Sequence, residues 1–242
     1  METTKFIAIS TQKGGGGKST ITELLASFFA YSAGKKVEIF DCDFPQHTIS
    51  KDREEELKEL ETNTAKKALL EKAGIKPYPI HSYTFHVCLE EMEKRLDDNC
   101  DTDYVFIDLP GTIKDETLLS IVSGLDYLFI PAIASTKEVR SSLEYAVTVQ
   151  QNILGKFNLK SMHVFWNRFN RYSENSVFET AMAVCEHQKI PVMEAKLEDS
   201  TKFNKTDFIS TILPFQKKFF NQTNVIPFIQ EFVTIINKPQ EN

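Results

Sequence analysis

Gln12-Lys13-Gly14-Gly15-Gly16-Gly17-Lys18-Ser19-Thr20 joins the apolar, strand-length run Phe6-Ile7-Ala8-Ile9-Ser10 to a segment, Ile21 to Ala33, that reads as a helix. A glycine-rich turn from a strand into a helix N-terminus suits a polyphosphate. The glycines let backbone N–H groups converge on the anion, and the helix dipole adds a favourable field. In that arrangement Lys18 neutralises β- and γ-phosphates and Ser19 offers its hydroxyl to Mg²⁺. The bland alternative is a glycine loop without a ligand, and the Lys-Ser-Thr ending in a strand–helix context speaks against it. Ile21, Leu24, Leu25, Phe28 and Phe29 then fall at i, i+3, i+4, i+7 and i+8, one apolar helix face. Gly34 is placed to end that helix. Val37-Glu38-Ile39-Phe40 reads as the next strand, completing a β–loop–α–β unit that favours parallel strands.

The common phosphate-loop pattern G-x-x-x-x-G-K-[ST] fails at its first position, where this chain has Gln12. A second lysine, Lys13, stands directly before the glycines instead. Lys18 already serves the phosphates of its own subunit, so Lys13 is placed to reach phosphates held by a partner. Here the chain resembles the ParA/MinD group of dimerising ATPases, whose loop reads K-G-G-x-G-K-[ST]. That group usually has a branched residue where Gly16 stands, so four successive glycines are expected to loosen the loop. The strand after the loop ends in Asp41-Cys42-Asp43-Phe44-Pro45-Gln46. Taken alone, Asp-x-Asp is a turn or a helix cap. At the carboxyl end of a strand just after a phosphate-loop unit, it lies where parallel sheets bind ligands. The ParA group has D-x-D-P-Q at this place, and Asp41, Asp43, Pro45 and Gln46 match it.

The 242 residues are 41% hydrophobic and 26% charged, ordinary for a soluble globular chain. No apolar run approaches the length of a membrane span, and the N-terminus lacks the regions of a signal peptide. Cys42, Cys88, Cys100 and Cys185 have no pairing or metal-ligand spacing, which points to reduced thiols and a cytoplasmic location. A formal net charge of −6 argues against a globally basic nucleic-acid binder.

Lys51 to Ala73 reads as a solvated helix or helix pair, rich in Glu and Lys. Gly74 to Ser82, with Pro77 and Pro79, reads as a break or extended crossing, and Val87 to Leu96 as a surface helix. Tyr104-Val105-Phe106-Ile107-Asp108 is a buried strand delivering a carboxylate beside the loop, where Asp108 serves Mg²⁺ through its water shell. Gly111, in Leu109-Pro110-Gly111, offers its N–H to a γ-phosphate; the ParA group more often has proline there. Tyr127 to Pro131 is a fourth core strand, Lys137 to Leu154 a helix, Met162 to Trp166 a fifth strand and Ile190 to Met193 a sixth. Asn167, at a strand end, either caps the chain locally or bonds an adenine, the use ParA relatives make of an Asn here. Lys196 to Thr201 resembles the group's base-covering segment without its usual proline. Val225 to Ile236 reads as a core-covering helix; Glu231 and the scarcity of lysine set it apart from a basic membrane helix of the MinD kind.

These alternations predict a doubly wound α/β fold with a mostly parallel sheet, as one domain over 1–242. The resemblance covers nearly the whole chain and is closest to short ParA-like proteins of plasmids and conjugative elements. With the first strand starting at about residue 5, no helix-turn-helix domain is expected before it. The resemblance implies an ATP- and Mg²⁺-dependent ATPase working as a homodimer in the ATP state. Gly14, Gly15, Gly16, Gly17, Lys18, Ser19 and Thr20 hold the nucleotide, with Gly111 and Asn167. Ser19, Asp108 and Asp41 serve the metal, Asp43 orients water, and Lys13 crosses to the partner. It further implies non-specific DNA binding, a partner protein that stimulates hydrolysis, and partition or maintenance of a DNA element. Lys156 to Lys218 carries ten Lys and Arg against seven Asp and Glu, with Arg168, Arg171, Lys202, Lys205, Lys217 and Lys218 the candidate DNA contacts. The alternative is a nucleotide-gated protein adaptor or MinD-like positioning factor with little DNA binding. An iron-protein-like reductase needs paired cysteines at a dimer seam, which Cys88 and Cys100 do not match.

Overall fold

Alternation along each strand sorts its side chains between two apolar layers. In the first strand, Phe6 and Ala8 enter one buried cluster and Ile7 and Ile9 the other; in the strand ending at Asp108, Val105 and Ile107 oppose Tyr104 and Phe106. A sheet buried on both faces needs continuous apolar strands and helices above and below, and the chain supplies both. The computed structural model describes residues 3–96, 100–111, 116–170, 176–204, 209–214 and 224–238.

The strands are β1 (Lys5–Ile9), β2 (Val37–Asp41), β3 (Ile80–Ser82), β4 (Tyr104–Asp108), β5 (Tyr127–Ala132) and β6 (Ser161–Trp166). They form one parallel sheet in the order β3-β2-β4-β1-β5-β6. The helices are α1 (Lys18–Ser27), α2 (Thr48–Thr62), α3 (Thr64–Ala73), α4 (Phe85–Arg95), α5 (Glu116–Gly124), α6 (Thr136–Asn152), α7 (Ser176–Gln188) and α8 (Val225–Ile236). Residues of α1, the start of α2 and α8 fill one layer, and residues of α4 to α7 the other. α1 runs on into a π-helical turn, Phe28–Ser32, and Gly34 at φ 64° turns the chain out, a left-handed exit that suits glycine.

Two assignments from the sequence change. Ile190 to Met193 is not a sheet strand: it makes a single bridge, Val164 to Val192. The sixth strand is β3, within the stretch read as an extended crossing. Both segments are short. β2 leaves a free edge that three residues can join, whereas after residue 190 the chain meets β6 only at isolated points, the bridge at Val192 and the bond from Leu197 N to Trp166 O, and builds no ladder.

The tail helix does cover the core. Phe232 packs on Phe129 at 4.3 Å between ring centroids and Phe228 on Phe165 at 5.0 Å. Burying such a ring contributes on the order of 2–3 kcal/mol. No helix among the described residues is long and apolar enough to cross a membrane.

Candidate functional site

In an order that places β1 between β4 and β5, chain connections leave β1 in opposite directions, and the crevice at its carboxyl end is where such sheets take ligands. The loop 10–17 emerges there. Asp41 and Asp108 are register partners, as are Ile9 and Asp108, so three strands end at one level. The N-cap of α1 is Gly17, in the left-handed region at φ 77°, with no side-chain cap, and the first turn of the helix holds no acidic residue. Its first N–H groups and its dipole are thereby left for an anion, with Lys18 buried beside them at 7% exposure.

The Ser19 hydroxyl donates to Asp108 Oδ2 at 2.6 Å. Asp108 is fully buried, and its Oδ1 has no hydrogen-bond partner among the described residues. Burial pushes its pKa up to about 7, against the Ser19 hydrogen bond and the Lys18 charge; Asp41 and Asp43 push the same way as burial. An unsatisfied buried carboxylate oxygen beside a hydroxyl is a hard-cation donor set. Mg²⁺ fits these residues.

Asp41 is also fully buried, but its carboxylate is occupied: it accepts from Ser50 N at 2.9 Å and Asp43 N at 3.4 Å, with His47 Nδ1 at 3.5 Å. It ties the end of β2 to the first turn of α2. Asp43 lies in the turn between them, and its carboxylate makes no hydrogen bond among the described residues. Lys13 is exposed and donates to the Lys137 carbonyl at 2.9 Å, at the start of α6. α6 braces the loop from below as well: Thr11 Oγ1 and Ser142 Oγ are 3.3 Å apart, and the Tyr145 hydroxyl donates to Ser10 Oγ at 3.3 Å.

Both departures from the ParA pattern have a steric setting. A Cβ at Gly111 would lie 2.6 Å from Gly14 N and from the Lys13 carbonyl carbon, so the backbone after β4 abuts the loop directly. A Cβ at Gly16 would stand 3.2 Å from the Thr11 methyl. The four-glycine loop is also tied down: Asn167 Nδ2 donates to Gly16 O at 2.8 Å, and Asn167 Oδ1 accepts from Arg168 N. Local bonding therefore engages the Asn167 amide. The residue still lines a cavity of about 250 Å³ with Gly17, Thr20, Glu198, Asp199 and Thr201. The segment read as base-covering forms one wall of it.

Of the candidate DNA contacts, Arg168 is exposed at the rim of this cavity. Arg171, Lys205, Lys217 and Lys218 lie outside the described residues. The four cysteines are free, and Cys42, Cys88 and Cys185 are buried.

The sequence reading missed Glu23. It lies on α1, one turn beyond Ser19, is 7% exposed, and its Oε1 has no partner among the described residues. Burial, then the Asp52 carboxyl, and then Glu56 and Asp108 hold its pKa well above the ordinary 4.5; Asp52 is raised too, first by burial. A carboxyl whose pKa is raised by folding binds more protons folded than unfolded. Its penalty is absent below pH 4.5 and grows as pH rises above that. Glu23→Gln is therefore expected to raise the melting temperature more at pH 8 than at pH 5. An equal gain at both pH values would mean that Glu23 is ionised in the fold. Helical periodicity puts Glu23 opposite the apolar face of α1, so its burial, which comes from α1 being covered on nearly every side, carries no signal in the sequence.

A model of the CobQ/CobB/MinD/ParA nucleotide binding domain matches residues 7–208. Among solved structures, the chain is similar to a Cyanothece McdA variant in complex with ATP (TM-score 0.64, 18% identity, 100% of each chain covered). It is similar to pNOB8 ParA bound to nonspecific DNA (0.64, 20%, 98% of this chain and 100% of that one). It is also similar to the MinD cell division protein of Aquifex aeolicus (0.61, 18%, 98% and 100%). At these identities the likeness is one of fold. A search of curated proteins finds no match.

Proposed function

The chain belongs to the CobQ/CobB/MinD/ParA family of nucleotide-binding domains, and from that premise we propose that it is a ParA-type ATPase. It closes as an ATP-held dimer, binds DNA without regard to sequence, and serves in partition or maintenance of a plasmid or conjugative element. The observation that carries this reading is the Ser19–Asp108 pair beside buried Lys18, at the open N-terminus of α1. Solved relatives of the same fold holding ATP or lying on nonspecific DNA support it.

In this mechanism the loop N–H groups and Lys18 hold the triphosphate, and Ser19 and Asp108 hold Mg²⁺. Bound there, the ion neutralises charge developing on the phosphates. Asp43 orients the attacking water, and Asp41 keeps Asp43 in place by fastening β2 to α2. Gly111 offers its N–H to the γ-phosphate from its seat against the loop. Lys13 leaves the Lys137 carbonyl, an exposed hydrogen bond of about 1 kcal/mol, to reach the partner's nucleotide. Hydrolysis is thereby coupled to dimerisation, and a partner protein that stimulates it releases the dimer.

Sedimentation and ATP turnover test this together. Asp43→Ala is expected to lose about 10²–10⁴-fold in hydrolysis while accumulating as an ATP-held dimer. Lys13→Ala is expected to bind nucleotide and remain monomeric. If both variants dimerise like the parent, the crossing lysine is wrong. DNA affinity in the ATP state should fall steeply with salt and little with sequence, and weaken when Lys217 and Lys218 are changed to Glu. No binding at low salt with ATP selects the adaptor or MinD-like reading instead.

A further inference from the structure

Glu231 is the one charged residue among the twelve of α8, Val-Ile-Pro-Phe-Ile-Gln-Glu-Phe-Val-Thr-Ile-Ile. Its carboxylate accepts two adjacent backbone N–H groups, Glu194 N at 2.8 Å and Ala195 N at 2.7 Å. At the N-cap of the helix, Asn224 Nδ2 donates to Glu198 Oε1 at 3.0 Å. Both contacts fall on the segment 194–201, whose residues Glu198, Asp199, Ser200 and Thr201 wall the cavity beside Gly17 and Thr20. We propose that Glu231 is a positioning residue for nucleobase binding, holding this segment where the base of a bound nucleoside triphosphate packs, with Asn224 as its second anchor. The proposal rests on the nucleotide-site reading above and assigns the base side of that site to α8.

The segment needs such an anchor because it has little structure of its own. Toward β6 and the residues after it, the segment is fixed by backbone bonds: Leu197 N to Trp166 O at 2.8 Å, Phe169 N to Leu197 O at 2.9 Å and Asp199 N to Phe169 O at 3.1 Å. The Lys196 ammonium lies over the Phe178 and Phe169 rings at 4.0 and 4.5 Å, holding the middle of the segment toward α7. At its beginning Glu194 N and Ala195 N are held by Glu231 of α8, and α8 is a firm platform because Phe228 and Phe232 are fully buried. A carboxylate taking two neighbouring N–H groups sets the position and direction of the backbone together, through charge-assisted bonds. Gln at this position keeps one acceptor but points its NH₂ at the second N–H, donor against donor.

The test titrates the full-length chain with Mg-ATP and, separately, with Mg-tripolyphosphate, which has the phosphates and no base. Glu231→Gln is expected to weaken ATP binding about tenfold and to raise KM with kcat kept, while tripolyphosphate affinity changes less than about twofold. Asn224→Ala, at the half-buried start of the helix, is expected to shift ATP in the same direction by about threefold, and carries the test if Glu231→Gln does not fold. Equal weakening of ATP and tripolyphosphate would assign Glu231 a general structural role and overturn the proposal, as would unchanged ATP affinity in both variants. A parent chain that binds neither ligand would overturn the nucleotide reading itself, and the proposal with it.

Discussion

Lys18→Ala is expected to lose Mg-ATP binding by two to three orders of magnitude or more. Lys18 is the buried cation at the α1 N-terminus, 7% exposed and close enough to Asp108 for its charge to oppose the upward push of burial on that carboxyl. A triphosphate brings several negative charges into that space. Removing one partner of a buried charge pair costs about 3–5 kcal/mol, because the other is left uncompensated, and each 1.4 kcal/mol is about tenfold in affinity. Lys18→Met, which keeps the aliphatic stem, should lose nearly as much; a large difference between the two variants would trace the loss to packing instead. Calorimetry reads both. Near-parental affinity in Lys18→Ala would sink the phosphate-loop assignment.

Gly111→Ala is expected to cut hydrolysis about a hundredfold while leaving the chain folded, since a displacement of ~1 Å near the reacting groups costs about that much. The added Cβ would meet Gly14 N and the Lys13 carbonyl carbon at 2.6 Å. These are backbone atoms of the loop itself, with no flexible side chain to yield. Overpacking of this kind costs about 1–3 kcal/mol, relieved by parting the loop from the segment after β4, the two surfaces that would embrace a γ-phosphate. Single-turnover hydrolysis beside a melting curve separates the outcomes. Parental turnover would show that the contact opens freely and that Gly111 senses nothing.

Both departures from the ParA pattern therefore sit at close approaches, each with its own neighbour. Gly16 and Gly111 each stand where a side chain would press on a neighbour, Thr11 in one case and the loop backbone in the other. The expectation of a loose loop from four glycines also meets a constraint: the Asn167 amide bonds Gly16 from 151 residues away. That bond uses a residue read from the sequence as adenine-contacting or capping. Its amide is engaged locally, and the residue stands at the cavity wall as well.

The features that decide the fold have local causes and were legible in the chain itself. The glycine turn between an apolar strand and an amphipathic helix, the apolar runs ending in Asp41 and Asp108, and the i, i+3, i+4 face of α1 are written within a few residues of one another. They were enough for the doubly wound parallel fold, and they placed the glycine turn at the α1 N-terminus and Ser19 beside Asp108. The helices α5 and α7 were passed over, and the sheet's sixth member was placed at Ile190 to Met193 instead of Ile80 to Ser82. A short apolar run joins a sheet only if an edge is free to receive it, and that depends on where the other strands lie. The remaining features are meetings between distant positions. Lys13 rests on Lys137, 124 residues on; Glu231 holds Glu194 and Ala195 across 37 and 36; Glu23 is buried against Asp52 of another helix. Sequence periodicity reports which face of an element is apolar and nothing about what lies opposite. The partners of Asn167, Glu23 and Glu231 were therefore decided by tertiary packing, which alone sets which polar groups share a space without water.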